Sequence, residues 1–382
     1  MIEQLSIRNF KSLRDVELSL TAFTCLVGLN GAGKSSWLQA IDFIAQQMRG
    51  DIDVWLDARG WEAKDLDCKL TTERNIHLGV VMLLDGQRLR WEAAFNTIER
   101  RCTHERFLLG DSVTPELEVK AGELVLSGER QRVRFKYQGS IISALRDDEL
   151  VEPIVKFRDY LTRVRSLELL SPHLLRRRAR VLDEDIGAGG EKLSAFLSGL
   201  STHARTELLV MLRSFYPALE DFRVSNLKAG WKKLTLIERY GETLLETEAG
   251  HVNDGLLRIL AVLAQAHSDR SLVLLDEIEN GINPELVEKL VDTLVSCKRQ
   301  IVVTTHSPLF LNYLDDEIAK QSVVLIYKSP AGESRARHLF KLPRIADKLR
   351  IMGPGEAFVD TDLPALIEEC VAEDRMHSQC SW

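Results

Sequence analysis

The chain has 382 residues, 45% of them hydrophobic and 28% charged, with a formal net charge of -7. That length and balance call for a folded protein larger than one small domain and exclude a wholly disordered chain. The acidic balance excludes a surface coated in Lys and Arg, and with no run near the roughly 20 apolar residues that span a bilayer, no membrane partner is expected.

Ile2 to Phe10 alternates as a half-buried strand, Phe23 to Gly28 is a short apolar strand, and Lys34 to Met48 carries helical apolar spacing at Trp37, Leu38, Ile41, Phe43, Ile44 and Met48. From Ile76 to about Tyr137 short strand-like runs, Leu78 to Leu84, Arg88 to Phe95 and Arg132 to Tyr137, are separated by turn signals such as Asp85-Gly86, which reads as an antiparallel β lobe. Between Pro153 and Tyr216 the pattern turns helical, interrupted by Ser171-Pro172 and by Gly187-Ala188-Gly189-Gly190. Strand character returns at Phe222 to Asn226 and Lys233 to Glu238, a helix runs from Asp254 to about Ala266, and apolar strands follow at Leu272 to Leu275, Ile301 to Val303 and Val323 to Ile326, with a helix from Pro284 to Cys297 between the first two.

The expected architecture is an α/β core with a mostly parallel sheet, discontinuous in sequence. It comprises an N-terminal part (1–75), an antiparallel β lobe (76–150), a helical lobe (151–221), a C-terminal part of the core (222–345) and a tail (346–382). No heptad run is long enough for a coiled coil. Cys25, Cys68, Cys102, Cys297, Cys370 and Cys380 lack CxxC spacing, so neither zinc nor a disulfide framework is suggested, and Met1 opens on strand-like alternation instead of a secretory leader. A cytoplasmic location is expected.

Three stretches carry chemistry. Gly28-Leu29-Asn30-Gly31-Ala32-Gly33-Lys34-Ser35, followed by Ser36, has the G-x-x-x-x-G-K-[ST] form and lies between a strand and a helix. Glycines let backbone N–H groups curl round phosphates, the helix N-terminus adds positive dipole, Lys34 reaches the β/γ-phosphates, and the Ser35 hydroxyl suits Mg²⁺. This predicts ATP and Mg²⁺ as cofactors. The apolar run Ser271 to Leu275 ends in Asp276 and Glu277, the first suited to hold Mg²⁺ and the second to orient attacking water. Thr304-Thr305-His306-Ser307-Pro308 ends the next apolar strand and brings His306 to the carboxyl edge of the sheet, where open α/β folds bind ligands.

In this order the motifs resemble those of ABC-type ATPases of the SMC, RecF and RecN group. Ile7 to Leu13 is similar to that group's first strand, and Asp276 to Pro284 resembles the segment of the small bacterial AAA-labelled ATPases related to the OLD family. The resemblance implies ATP hydrolysis with Lys34, Glu277 and His306 as catalytic groups, and Lys11 beside the nucleotide. It also implies that a signature segment, here Asn253-Asp254-Gly255 with Asn253 where the family carries serine, closes over ATP held by a second copy, giving a head-to-tail homodimer or higher oligomer. The family's Q-loop glutamine is not placed: Gln46, Gln47 and Gln87 lack diagnostic surroundings.

Two roles follow from the resemblance. In one the chain is the sensor and scaffold subunit of a bacterial anti-phage system that controls a separate effector, a nuclease by expectation; in the other it is a DNA clamp or remodeller. The basic cluster Arg176-Arg177-Arg178 with Arg180 is the sharpest candidate for a nucleic-acid backbone, although a solvated helix face accounts for it as well. Asp360-Thr361-Asp362 resembles the D-x-D of TOPRIM nucleases but has no matching Glu-Gly motif upstream, so no built-in nuclease is expected.

Overall fold

The alternation in Ile2–Phe10 buries Leu5 and Ile7 on one side and turns Ser6 and Arg8 to the other. That strand does not stand alone. The computed structural model of the protein describes residues 1–167, 171–180, 186–187, 189–265 and 270–379. In it the strand is the second of an eight-stranded antiparallel sheet ordered Leu13–Ser19, Ile2–Phe10, Asn75–Leu84, Gln87–Asn96, Arg101–Leu109, Leu117–Lys120, Glu123–Leu126 and Glu129–Arg132. The first two strands thus share a sheet with those of the expected β lobe. The run read as strand from Arg132 to Tyr137 ends as a strand at its first residue. Asp85 (φ 51°) and Gly86 (φ 77°) are both left-handed, the two-residue hairpin turn that their identities predict.

Ala188, Ala266 and Cys380 lie outside the described residues. The described residues form two compact units, those within 1–164 and 316–379, and those within 165–315.

In the first unit the inner face of the sheet packs on the helix Lys34–Arg49, which is buried over most of its surface, the polar Asp42, Gln46 and Gln47 included. Phe43 of that helix stacks on Phe10 at 5.4 Å and meets Phe95 edge-on at 5.1 Å. A second helix, Glu152–Thr162, sets Phe157 against Phe107 at 5.1 Å. The strand Phe23–Val27 pairs in parallel with Val323–Lys328, which pairs antiparallel with Ser334–His338.

In the second unit Arg165–Leu167, Leu272–Leu275 and Gln300–Thr304 run parallel, and Leu219–Asn226, Lys232–Tyr240 and Thr243–Glu248 form an antiparallel meander. The strand Arg165–Leu167 interrupts the stretch that read as helical between Pro153 and Tyr216. Three residues are too few to show a period of two, and pairing with the fully buried Leu272–Leu275 recruits them. Among the described residues no helix is long and apolar enough to cross a membrane, and none exceeds the 17 residues of Leu363–Gln379, short of three heptads.

Candidate functional site

In the first unit the buried strand Phe23–Val27 runs into Gly28, whose φ of 149° and tight packing exclude a side chain: an added Cβ would lie 2.1 Å from the Ile326 carbonyl oxygen. Gly33 (φ 111°) is equally enclosed, its Cβ position being 2.2 Å from the Ser334 hydroxyl and 2.9 Å from that of Ser12. Between them Leu29, Asn30 and Gly31 are exposed and Ala32 is buried. Gly33 precedes Lys34–Arg49 and no side chain caps that helix, so its first-turn N–H groups are not taken by a cap. The buried Lys34 ammonium donates to the carbonyls of Gly28 (3.0 Å) and Leu29 (3.3 Å), folded into the loop it belongs to. Ser35 is exposed beside it, and Ser36 hydrogen-bonds with Ser12.

The turn between the first two strands braces this loop. Ser334, fully buried, donates to the Ala32 carbonyl at 2.6 Å and lies 2.8 Å from the Ser12 hydroxyl. Lys11 (φ 48°) donates its ammonium to Gln39 Oε1 at 2.7 Å and sits 3.3 Å from the centre of the Trp61 ring, a cation–π contact. Gln46 donates to the Gly50 carbonyl and Gln47 to that of Phe43, so both are taken up within the helix Lys34–Arg49 and its end.

In the second unit Leu272–Leu275 is buried along its length and ends at Asp276. Here the buried Thr304 hydroxyl joins the two acids: it accepts from the Glu277 N–H at 2.8 Å and donates to Asp276 Oδ1. Glu277 has φ 46°, an uncommon conformation for a non-glycine residue that persists only where its surroundings over-determine it. Asn280 donates its side-chain amide to Glu277 Oε2, and His306 Nε2 stands 3.6 Å from Oε1, an electrostatic approach longer than a hydrogen bond. Glu279 Oε1 accepts from the backbone N–H of His306 (2.8 Å) and of Ser307 (3.1 Å), fixing the turn that carries the histidine. This unit therefore brings Asp276, Glu277 and His306 together.

Asn253 caps the helix Asp254–Ala264, its Oδ1 accepting from the Leu256 N–H at 2.8 Å. Gly255 lies against Gly281: a Cβ on Gly255 would come 2.8 Å from the Gly281 carbonyl oxygen. The basic cluster is largely spent within the unit. Arg176 binds the Val252 carbonyl (2.7 Å) and the Asp254 carboxylate, Arg178 binds Glu248 (2.7 Å), and Arg177 contacts His173. Arg176 thus braces the segment Val252 to Asp254 at the start of this helix. Asp362 Oδ1 accepts from the Ala365 N–H at the start of the last helix and Asp360 pairs with Lys348 at 2.9 Å, so the D-x-D stretch has capping and pairing roles.

Thr304, Glu279, Asn280, Ser12, Ser334 and Arg176 were not singled out from sequence for these positions. Thr304 carries a readable signal, a polar residue closing an apolar strand; Ser334 carries none, because its partners lie some 300 positions away.

The Ser35 hydroxyl of the first unit and the Asp276 carboxylate of the second are each hard oxygen donors, the kind Mg²⁺ takes together with phosphate and water. Among the described residues no cluster of three or more His, Cys, Asp or Glu could hold a metal alone.

A family model described as "AAA domain, putative AbiEii toxin, Type IV TA system" matches residues 107–312, and one described as "AAA ATPase domain" matches residues 1–87. Over 80 residues the chain is 35% identical to the OLD nuclease of Thermus scotoductus; that stretch is 21% of this chain and spans only 14% of the relative's length. The fold is similar to that of an Smc head bound to the C-winged helix domain of ScpA, with a TM-score of 0.56 at 15% identity over 88% of this chain and 96% of that one. An Smc head domain with an extended coiled coil, derived from Pyrococcus furiosus, gives 0.56 at 14% identity over 91% and 99%. At those identities the likeness is one of fold.

Proposed function

From the premise that this chain belongs to the AAA-domain family described as "AAA domain, putative AbiEii toxin, Type IV TA system", we propose that it binds ATP with Mg²⁺ at Gly28 to Ser36 and hydrolyses it. Lys34 and the loop N–H groups would hold the phosphates, and Ser35 and Asp276 would hold the metal. Bound Mg²⁺ supplies neutralisation of phosphate charge. Glu277 would orient the attacking water and accept its proton, and His306 would contact the outer phosphate.

The observation that supports hydrolysis is the Thr304 hydroxyl, which links the backbone N–H of Glu277 to the carboxylate of Asp276 and so fixes the turn that carries both acids. A strand merely ending in solvated acids would have no use for a buried hydroxyl joining them.

In the finer reading, two copies associate head to tail around ATP, with Asn253, Asp254 and Gly255 of one copy against nucleotide held by the other and Lys11 beside it. Closure on binding and reopening on hydrolysis would then drive the cycle. The chain would act in the bacterial cytosol as sensor and scaffold of an anti-phage system and control a separate effector. The family description, which names a toxin–antitoxin system, supports work with a second chain, and the local identity to an OLD nuclease supports nuclease chemistry in that partner. The DNA-clamp reading is weakened by the internal pairing of Arg176 and Arg178.

The test is light scattering of wild type and Glu277→Gln with and without ATP·Mg²⁺, alongside phosphate release. An ATP-dependent dimer that persists in Glu277→Gln while phosphate release is lost is the expected result. Normal hydrolysis by Glu277→Gln and an assembly indifferent to nucleotide would overturn it.

A further inference from the structure

We infer that Arg258, on the helix Asp254–Ala264, is a positioning residue for Glu277, acting as a strut that ties the signature end of this helix to the catalytic turn. The inference rests on the hydrolytic reading above.

The guanidinium is half-buried, and its Nε has no hydrogen-bond acceptor among the described residues. Burial pulls its pKa below the ordinary arginine value, while the carboxylates of Asp254 and Glu277 pull the other way. A cation kept where it is poorly hydrated and incompletely bonded needs a reason, and its neighbours supply one.

Gly255 and Arg258 are three residues apart and so share a face of the helix, and both bear on Gly281. The first leaves no room, its Cβ position being 2.8 Å from the Gly281 carbonyl oxygen. The second lies over the bare Cα of Gly281, whose own Cβ position would be 3.5 Å from Arg258 Nε and 3.8 Å from Cδ. Gly281 (φ 71°) closes the turn that begins at Glu277. Within that turn the Asn280 N–H donates to the Glu277 carbonyl at 3.0 Å and the Asn280 side chain donates to the Glu277 carboxylate. A displacement at Gly281 therefore reaches Glu277 twice through Asn280, and Arg258 adds an opposite charge on the same side. The helix that begins at Asn253 and the turn that presents Glu277 move as one piece, so an event at the helix start is felt at the catalytic carboxylate.

The experiment compares steady-state ATP hydrolysis and direct binding of a fluorescent ATP analogue for wild type, Arg258→Gln, Arg258→Lys and Gly281→Ala, with Glu277→Gln alone and combined with Arg258→Gln. Arg258→Gln should lose about tenfold or more in kcat, the scale expected when a catalytic base is misplaced, with analogue affinity within about twofold. Arg258→Lys should recover to within about threefold of wild type because the charge is kept, and Gly281→Ala should reproduce the loss because alanine is strained at a φ of 71° and the turn must shift to relieve it. In the Glu277→Gln background, Arg258→Gln should cost nothing further, as for residues acting through one group. The inference is overturned if Arg258→Gln turns over within about twofold of wild type. It is equally overturned if glutamine and lysine are alike, or if turnover, affinity and melting temperature fall together. Should Glu277→Gln hydrolyse ATP like wild type, the hydrolytic reading fails by itself, and that is read without any Arg258 variant.

Discussion

Replacing Thr304 by valine keeps the shape of a fully buried side chain and removes one hydroxyl. That hydroxyl makes two bonds, one from the Glu277 N–H and one to the ionisable Asp276 carboxylate. A neutral bond of this kind contributes about 1 kcal/mol and one to a charged group about 1.5–3 kcal/mol. Against them stands the left-handed backbone of Glu277, a conformation that costs about 1–3 kcal/mol and is held only by its neighbours. With the bonds gone the strain is free to relax, and Glu277 leaves its place. With the released strain set against the lost bonds, the variant should lose about 1–2 kcal/mol of stability, and the same free energy separating held from released Glu277 corresponds to roughly tenfold in kcat. Thr304→Ser retains both bonds and should stay within about threefold of wild type. Phosphate release at saturating ATP, with thermal melting of each variant, reads both quantities. A valine variant that turns over within about threefold of wild type and melts at the same temperature would refute the assignment of Thr304 as the link between the two acids.

A pH dependence follows from Glu105, which is fully buried and accepts from the Ser140 hydroxyl (2.7 Å) and the Ile141 N–H (3.1 Å), with burial pushing its carboxyl up to about 8. Because this folded-state value exceeds the ordinary one, the stability it supports is full below about pH 4.5 and is lost as pH rises to about 8. Melting temperature of wild type should fall across that window, while that of Glu105→Gln should stay flat and lie above wild type at pH 9, where the stability difference is on the order of a few kcal/mol; parallel curves would contradict the burial of a neutral carboxyl. Gly255→Ala opposes two effects: alanine favours the helix by about 1 kcal/mol, and its Cβ collides with the Gly281 carbonyl at a cost of about 1–3 kcal/mol. The melting temperature should barely change while kcat falls by about tenfold or more; unchanged turnover would show that the contact at Gly281 is slack.

What could be read from the sequence was what depends on neighbours along the chain. Gly28 and Gly33 sit where the backbone must turn through positive φ with no space for a side chain, and glycine is the residue that allows it. The Asp85-Gly86 hairpin is local in the same way. The buried strand Leu272–Leu275 and the acids that end it are visible because an apolar run followed by carboxylates is a contrast within a few positions. Asp362, which the sequence offers only as part of a nuclease-like D-x-D, accepts from the Ala365 N–H three residues on and so caps the last helix.

The tertiary structure decided which distant residues share a place. Hydrophobic periodicity reports burial but not the choice of partner, so the sheet that joins Ile2–Phe10 to Asn75–Leu84 and the pairing of Arg165–Leu167 with Leu272–Leu275 were not legible. The same holds for single polar side chains. Ser334 supports the glycine-rich loop at Ala32 from some 300 positions away, Thr304 joins two acids 27 and 28 positions earlier, and Arg176 turns from a candidate nucleic-acid contact into a brace for Asp254. Each of these is one hydrogen bond or ion pair between segments brought together by packing. A lone contact leaves no repeating pattern in a sequence, and only the packed fold supplies its partner.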